Sequence, residues 1–282
     1  MSMNIVDDVS LSPEQIKEHY EIEKELASRL RNASKQERKQ LYAKAYDEML
    51  RRVPYHPMLT RKSSPEERAA DASMQMKLLK PFLKKGSTFL EVGPGDCALS
   101  FEVAKIVKQV YAIDVSDEMT RNGSAPENFS LILSDGCSVP LGKDSVDLAY
   151  SNQLMEHLHP EDAFEQLQNI YSVLSPGGAY ICITPSRYSG PHDISKYFDS
   201  VATGFHLSEY TTLELKNLFN KVGFSKVKVF VGAKGKYLQV PAFPVVTCEW
   251  LLNLFPDSFR KTIAVNLPFN LIFGNIRILG IK

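Results

Sequence analysis

The chain has 282 residues, 44% of them hydrophobic and 23% charged, with 33 Lys and Arg against 33 Asp and Glu. These proportions exclude a disordered chain, a collagen-like repeat and a small disulfide-stapled domain. The length suffices for a sizeable core, as one domain with insertions or as two small ones, and a net charge of zero points to neither nucleic acid nor an anionic surface as partner.

Cys97, Cys137, Cys182 and Cys248 lie far apart without a C-x-x-C pair, so no zinc or thioredoxin-like motif is expected. The start, Met1 to Asp8, lacks the basic end and apolar stretch of a signal peptide. No apolar run reaches transmembrane length. The expectation is a reduced, cytoplasmic protein.

The first 85 residues read as helices. Ser12-Pro13-Glu14-Gln15, Ser34-Lys35-Gln36-Glu37 and Ser64-Pro65-Glu66-Glu67 each place a capping Ser three residues before a Glu or Gln. The Ser oxygen accepts from a free backbone N–H and the Glu or Gln returns the bond. Helices are predicted at about 13–33, 35–52 and 65–84.

From Ser87 strands and helices alternate. Strands are predicted at 88–92, 110–114, 129–134, 146–151, 179–184 and 225–231, with helices at 97–107, from Ser116, at 160–174 and from Thr211. That alternation predicts an α/β fold, a parallel sheet covered on both faces. Residues 185–209 read as a loop rich in Pro, Ser, Tyr and His. Residues 232–273 read as an apolar helical insertion, and 275–282 alternates like a final strand. The expected organisation is a helical cap (1–85), a core (86–231) with a substrate loop (185–209), an insertion or lid (232–273) and a last core strand (274–282).

The most informative stretch is Phe89-Leu-Glu-Val-Gly-Pro-Gly-Asp-Cys-Ala98. Glycines after a strand let the backbone turn sharply and approach a ligand, and the next helix favours an anionic group. Asp114, ending the next strand 19 residues after Gly95, can accept from both hydroxyls of a ribose. Asp135-Gly136 follows the third strand, where a carboxylate can accept from an adenine amine. The fourth strand runs into Asn152-Gln153-Leu154-Met155-Glu156-His157, and Ser175-Pro176-Gly177-Gly178 precedes the fifth. A glycine motif alone is shared by NAD, FAD and methyl-donor proteins.

As an ordered set, residues 86–231 with the C-terminal strand resemble the class I S-adenosylmethionine-dependent methyltransferases of small-molecule type. The resemblance implies a Rossmann-like, seven-stranded, mostly parallel sheet with an antiparallel last strand. It implies S-adenosylmethionine as donor and S-adenosylhomocysteine as product. Glu91 would orient the glycine loop and the amino-acid end of the donor. Gly93 and Gly95 would pass close to the methionine part. Asp114 would hold the ribose, with Val115 and Met119 near the adenine. Asp135 would bond the adenine amine and Gly136 would shape that turn. Asn152 and Gln153 would lie near the reacting methyl. Pro94 departs from a full set of N–H donors in the loop.

His157, His159 and His192 are the candidate general bases, with Asp193 and His206 beside them in the same set. Helix capping or packing is the competing reading for His157 and His159, and a solvated loop for His192 and His206. No metal site is expected at His157 and His159, which do not share a helix face. The basic stretch Arg29, Arg31, Lys35, Arg38, Lys39, Lys44, Arg51, Arg52, Arg61 and Lys62 reads as a wet helix face or a phosphate or RNA contact. Tyr42 or Tyr46 is placed to cover the donor. The insertion reads as a cap or lid, an oligomer interface, or a peripheral membrane or lipid contact.

The expected function is in-line methyl transfer to a small-molecule, lipid or saccharide acceptor at O or N. A non-catalytic nucleotide-binding partner module and, further off, an RNA methyltransferase are the alternatives. The small molecule is the expected partner, without nucleic acid.

Overall fold

The computed structural model describes residues 11–60, 64–116 and 125–282. Met119 and most of the short helix expected from Ser116 lie outside the described residues. The N-terminal helices are α1 (Pro13–Asn32), α2 (Lys35–Arg52), α3 (Pro57–Thr60) and α4 (Pro65–Leu79). Ser12, Ser34 and Ser64 each form the reciprocal capping box that the sequence predicts.

The core follows as β1 (Thr88–Val92), α5 (Ala98–Ala104), β2 (Gln109–Asp114), β3 (Phe129–Leu133), β4 (Val146–Asn152), α6 (Pro160–Val173), β5 (Leu174–Pro185), α7 (Thr212–Val222) and β6 (Lys226–Ala233). The chain continues through β7 (Lys236–Pro241), α8 (Ala242–Leu252), α9 (Asp257–Val265), α10 (Asn270–Phe273) and β8 (Asn275–Ile281).

The sheet order is β3-β2-β1-β4-β5-β8-β6-β7. Strands β1 to β5 pair in parallel, and β8 runs antiparallel between β5 and β6. The sheet therefore has eight strands, not the expected seven. The extra one, β7, lies in the segment read as a helical insertion, which is a strand followed by helices. Lys234 (φ +53°) and Gly235 (φ +78°) join β6 to β7, both in the left-handed region. A two-residue turn of that kind matches strand twist. Lys-Gly lacks the Asn-Gly signature, so the hairpin was not legible.

Alternation along the strands builds two cores. Leu90, Ala149 and Tyr180 face a cluster shared with Leu26, Leu30, Tyr42 and Met49 of α1 and α2, Leu167 of α6 and Phe219 of α7. Phe89, Leu148 and Ile181 face the other side, against Leu78 and Leu79 of α4 and Leu99 and Val103 of α5. Among the described residues no helix is long and apolar enough to cross a membrane.

The sheet order reverses at β1 and β4, and ligands in open α/β sheets bind beyond the strand ends at such a point. The loops after β1, β2, β3 and β4 all open on this edge.

Candidate active site

Gly93 (φ +70°) and Gly95 (φ +55°) take backbone angles that side chains disfavour. A Cβ on Gly93 would meet Leu154 at 3.0 Å, whereas one on Gly95 would meet nothing within 4 Å. Gly93 is thus needed for packing, and Gly95 exposes bare backbone to the space above the sheet. Helix α5 begins one residue later than expected and spans only seven residues.

Glu91 is buried and accepts from Ser100 Oγ at 2.6 Å, tying β1 to α5 behind the glycine loop. Burial pushes its carboxyl up to about 8. Asp114 Oδ1 accepts from Val115 N at 2.6 Å and Ser116 N at 3.3 Å. Burial raises this carboxyl, against the pull of those N–H groups.

Asp135 closes the turn after β3. It accepts from Cys137 N at 2.9 Å, Ser138 N at 2.7 Å and Ser138 Oγ at 2.9 Å, and Lys39 Nζ lies 3.3 Å away. Burial opposes its ionisation, but these partners outweigh it and hold the carboxyl at about 2. Both oxygens are engaged within the protein. Gly136 sits under the Tyr42 ring, 3.4 Å from where a Cβ would stand, and Val115 lines the same spot at 3.6 Å. The cap helix α2 therefore reaches the place expected for an adenine.

Asn152 ends β4, half-buried. Gln153 takes φ +55° and donates through Nε2 to Asn275 Oδ1 at 3.1 Å, toward β8.

Beyond β4 lies a buried cluster of polar side chains, called the chamber below for the place it would enclose. His157 Nδ1 lies 2.8 Å from Tyr46 Oη and 3.1 Å from the Phe205 carbonyl. Burial, with His206 beside it, pushes the His157 imidazole down to about 3. It is a neutral, weakly basic anchor. His159 caps α6, its Nδ1 accepting from Glu161 N at 3.3 Å. His192 holds Glu209 through its backbone N–H at 2.7 Å, and its ring touches Ser189 Oγ at 3.0 Å. Each of the three expected bases makes at least one hydrogen bond within the protein. His206 Nδ1 lies 2.8 Å from Glu209 Oε1. Burial disfavours its cation, but Glu209, Glu156 and Asp193 outweigh this and raise it to about 9.

The residue that the sequence reading passed over is Glu156. It is fully buried, Oε2 accepts from Thr184 Oγ1 at 2.9 Å, and Oε1 has no hydrogen-bond partner. Burial pushes its carboxyl up to about 7, against the pull of the His206 cation. A buried carboxyl near neutrality with one spare oxygen can share or take a proton. Its only sequence signal is its place just past the end of β4.

The basic stretch forms inward partnerships. Arg38 grips Asp162 at 2.6 and 3.0 Å, Arg31 donates to the carbonyls of Thr203, Gly204 and His206, and Lys35 and Lys39 pair with Glu165. Arg29 and Arg52 pair with Glu48. Arg31, Lys35, Arg38 and Lys39 thus bind the cap to the core, Arg29 and Arg52 join α1 to α2, and Arg61 and Lys62 lie outside the described residues.

The site combines an open, mostly parallel sheet with a glycine turn after β1 and a carboxylate, Asp114, at the end of β2. A family profile described as a methyltransferase domain matches residues 90–182. The chain is 27% identical over 154 residues to phosphoethanolamine N-methyltransferase 1 of Triticum aestivum, covering 45% of this chain and 31% of that protein. It is 27% identical over 152 residues to a protein of Mycolicibacterium smegmatis named "Probable S-adenosylmethionine-dependent methyltransferase", covering 52% of this chain and 57% of that one. These matches thus span about a third to just over half of the relatives' length. In fold it is similar to phosphoethanolamine N-methyltransferase 1 of Haemonchus contortus, solved with phosphoethanolamine and S-adenosylhomocysteine. The TM-score is 0.56 at 14% identity, over 88% of this chain and 50% of that one. Residues 90–182 thus match a methyltransferase domain, and over about half its length the chain is similar to proteins named as S-adenosylmethionine-dependent methyltransferases.

Proposed function

We propose that the protein transfers the methyl group of S-adenosylmethionine to a small acceptor held in the chamber beyond β4. The observation that carries this reading is the adjacency of two features. The Gly93–Gly95 loop with Asp114 opens on the same sheet edge as Glu156, a buried carboxyl with an unpartnered oxygen.

The donor, when bound, supplies a methyl group already activated on a sulfonium. Gly95 would let its methionine part approach the backbone, with Glu91 fixing the loop from behind. Asp114 would accept from the ribose hydroxyls. Val115, Gly136 and Tyr42 would flank the adenine, and Met119 is proposed there from the resemblance alone. Asp135 would act on the adenine side chiefly by shaping the turn, since its oxygens are occupied. Asn152 and Gln153 would border the methyl-bearing end.

The chain's own work is to bring acceptor and methyl carbon into line and to exclude water, and positioning of that kind can supply much of the acceleration. Glu156 would take or share the proton of an attacking hydroxyl or amine. His157, neutral and anchored to Tyr46, would position rather than titrate. The relatives named for phosphoethanolamine support a small polar acceptor with an amine. Phe243, Trp250, Leu254 and Leu267, each more than 60% exposed on the segment after β7, support an acceptor borne on lipid or a peripheral membrane contact. The pairing of Arg31, Lys35, Arg38 and Lys39 with groups of the core counts against an RNA acceptor.

The test is thermal unfolding with S-adenosylmethionine, S-adenosylhomocysteine or NAD. At about a hundred times its dissociation constant a ligand stabilises by about 2.7 kcal/mol, a shift of a few degrees. A shift with the two sulfur nucleotides and none with NAD supports the reading. A shift with NAD alone overturns it. Transfer of labelled methyl from the donor to fractionated small-molecule extract, lost in Glu156→Gln, then identifies the acceptor. Donor binding without transfer to any fraction would favour the non-catalytic module.

A further inference from the structure

Three clusters of potential metal ligands occur among the described residues. In one, Glu156, His157 and His206, both imidazole Nδ1 atoms already face Tyr46, Phe205 and Glu209. In a second, Cys137, Asp162 and Glu165, the Asp162 carboxylate is gripped by Arg38 and Tyr42. The third lies between the cap helices, against the loop at Phe205.

His19 and Glu23 stand four residues apart on α1, so their side chains leave the same face. His56 comes to them from the turn that leads into α3. All three are buried, at 0%, 4% and 1% exposure. His19 Nε2 lies 3.0 Å from Glu23 Oε1, and the His19 and His56 rings meet edge to face with centroids 4.9 Å apart. One donor atom from each residue lies within 4.8 Å of the other two. His19 Nδ1 has no hydrogen-bond partner although it is buried. Glu23 is also held in place, because its Oε2 accepts from Phe205 N at 3.2 Å.

We propose that His19, Glu23 and His56 bind a first-row transition dication, with zinc the reference ion. Two imidazoles and a carboxylate suit zinc, cobalt or nickel, whereas magnesium and calcium prefer all-oxygen sites. Zinc sits about 2.0–2.2 Å from such donors, so side-chain rotation of the order of an ångström closes the triad around it. The ion would join α1 to the turn before α3. Through Glu23 and Phe205 it would also fasten the cap to the loop that carries His206. Its task is structural, since the triad contacts neither the glycine loop nor Asp114.

The test uses the full chain without a polyhistidine tag, stripped with chelator and then incubated with zinc or cobalt alone. Metal retained after desalting is counted by mass spectrometry. The expected result is about one zinc per chain, lost in His19→Gln and in His56→Gln but kept in His159→Gln and Asp114→Ala. Cobalt should give the visible absorption of a four-coordinate site, and X-ray absorption of the zinc-loaded parent should show two imidazole ligands. That second measurement needs no variant to fold. Less than about a tenth of a zinc per chain in the parent overturns the proposal. So does full retention in a folded His56→Gln protein, or a zinc spectrum without imidazole. Because Asp114→Ala disables the donor pocket only, failure of the metal site and failure of the methyltransferase reading are separable.

Discussion

Tyr46 Oη stands 2.8 Å from His157 Nδ1, joining α2 of the cap to the chain that leaves β4. The Tyr46 ring also stacks on Phe205, with centroids 4.9 Å apart. One side chain thus ties together cap, strand end and loop, the three parts that enclose the chamber. Tyr46→Phe keeps the stack and removes only the hydroxyl. It should cost about 1 kcal/mol, a fall in melting temperature of about 2–4 °C. Urea and thermal unfolding measure this, and an unchanged midpoint would mean that the hydroxyl contact adds nothing.

Asp114→Ala should weaken S-adenosylhomocysteine binding at least about tenfold, or 1.4 kcal/mol. The ribose hydroxyls would lose their acceptor, while the bonds that Asp114 makes now are to backbone N–H groups of Val115, Ser116 and the glycine loop at Gly95. Calorimetric titration decides it. Parent-like affinity in the variant would remove Asp114 from the donor site.

The stability gain from Glu156→Gln should grow as pH rises above about 4.5 and be full above about 7. The folded state raises this carboxyl to about 7. Below the unfolded value near 4.5 both states are protonated, so the substitution changes no ionisation cost. As pH rises from about 4.5 to 7 the unfolded carboxyl ionises while the buried one still holds its proton, so the parent's folding loses on the order of 3 kcal/mol, a loss complete above about 7. The variant avoids that loss. Its melting temperature should match the parent's near pH 4.5 and exceed it at pH 8, while methyl transfer falls. A variant less stable than the parent at pH 8 would refute the assignment of a strained, ionisable Glu156.

His206 and Glu209 have a pH window of their own. Glu209 is held at about 2, because His192 and His206 outweigh its burial, so its contribution is present above about 4.5 and is lost as pH falls through 2. His206 is raised to about 9, so its contribution is full below about 6.5 and is lost as pH rises through 9. The stability difference between the parent and His206→Gln should therefore be largest between about pH 4.5 and 6.5 and shrink toward pH 9. Melting curves across that range measure it, and a difference that does not vary with pH would show that His206 is not charged in the fold.

Arg38→Met should be severe. Arg38 and Asp162 are both buried, and Tyr42 donates to the same carboxylate. Removing one partner of a buried pair leaves an uncompensated charge and costs about 3–5 kcal/mol. Denaturant titration of Arg38→Met against the double variant Arg38→Met with Asp162→Leu should show the second change recovering part of the loss. No recovery would place the damage in packing rather than charge.

Much of the frame was readable in the chain. The capping boxes at Ser12, Ser34, Ser64 and Thr211 all form, and each spans only four residues. The glycine loop after β1 and the carboxylate at the end of β2 stand where strand-and-helix alternation put them. The final strand is antiparallel, as the resemblance implied, and the structure sets it between β5 and β6. What escaped was the β6–β7 hairpin, whose Lys234-Gly235 turn depends on an unusual left-handed lysine. The histidines were visible as candidates, but their states were not. His159 became a helix cap and His157 a buried neutral anchor, while His206 became a buried cation.

The sequence alone therefore determined the interactions that act over a few residues: caps, turns, the strand–helix rhythm and the glycine-bearing ligand loop. Backbone angles and hydrogen bonds at that range depend on neighbours in the chain. The tertiary structure decided what depends on burial and on partners far away in sequence. It joined Arg38 to Asp162 across 124 residues and Tyr46 to His157 across 111. It drew His56 to His19 and Glu23, and it buried Glu156 deeply enough to raise its carboxyl toward neutrality. Desolvation and long-range pairing set the charge of a side chain, and neither exists until the chain has folded.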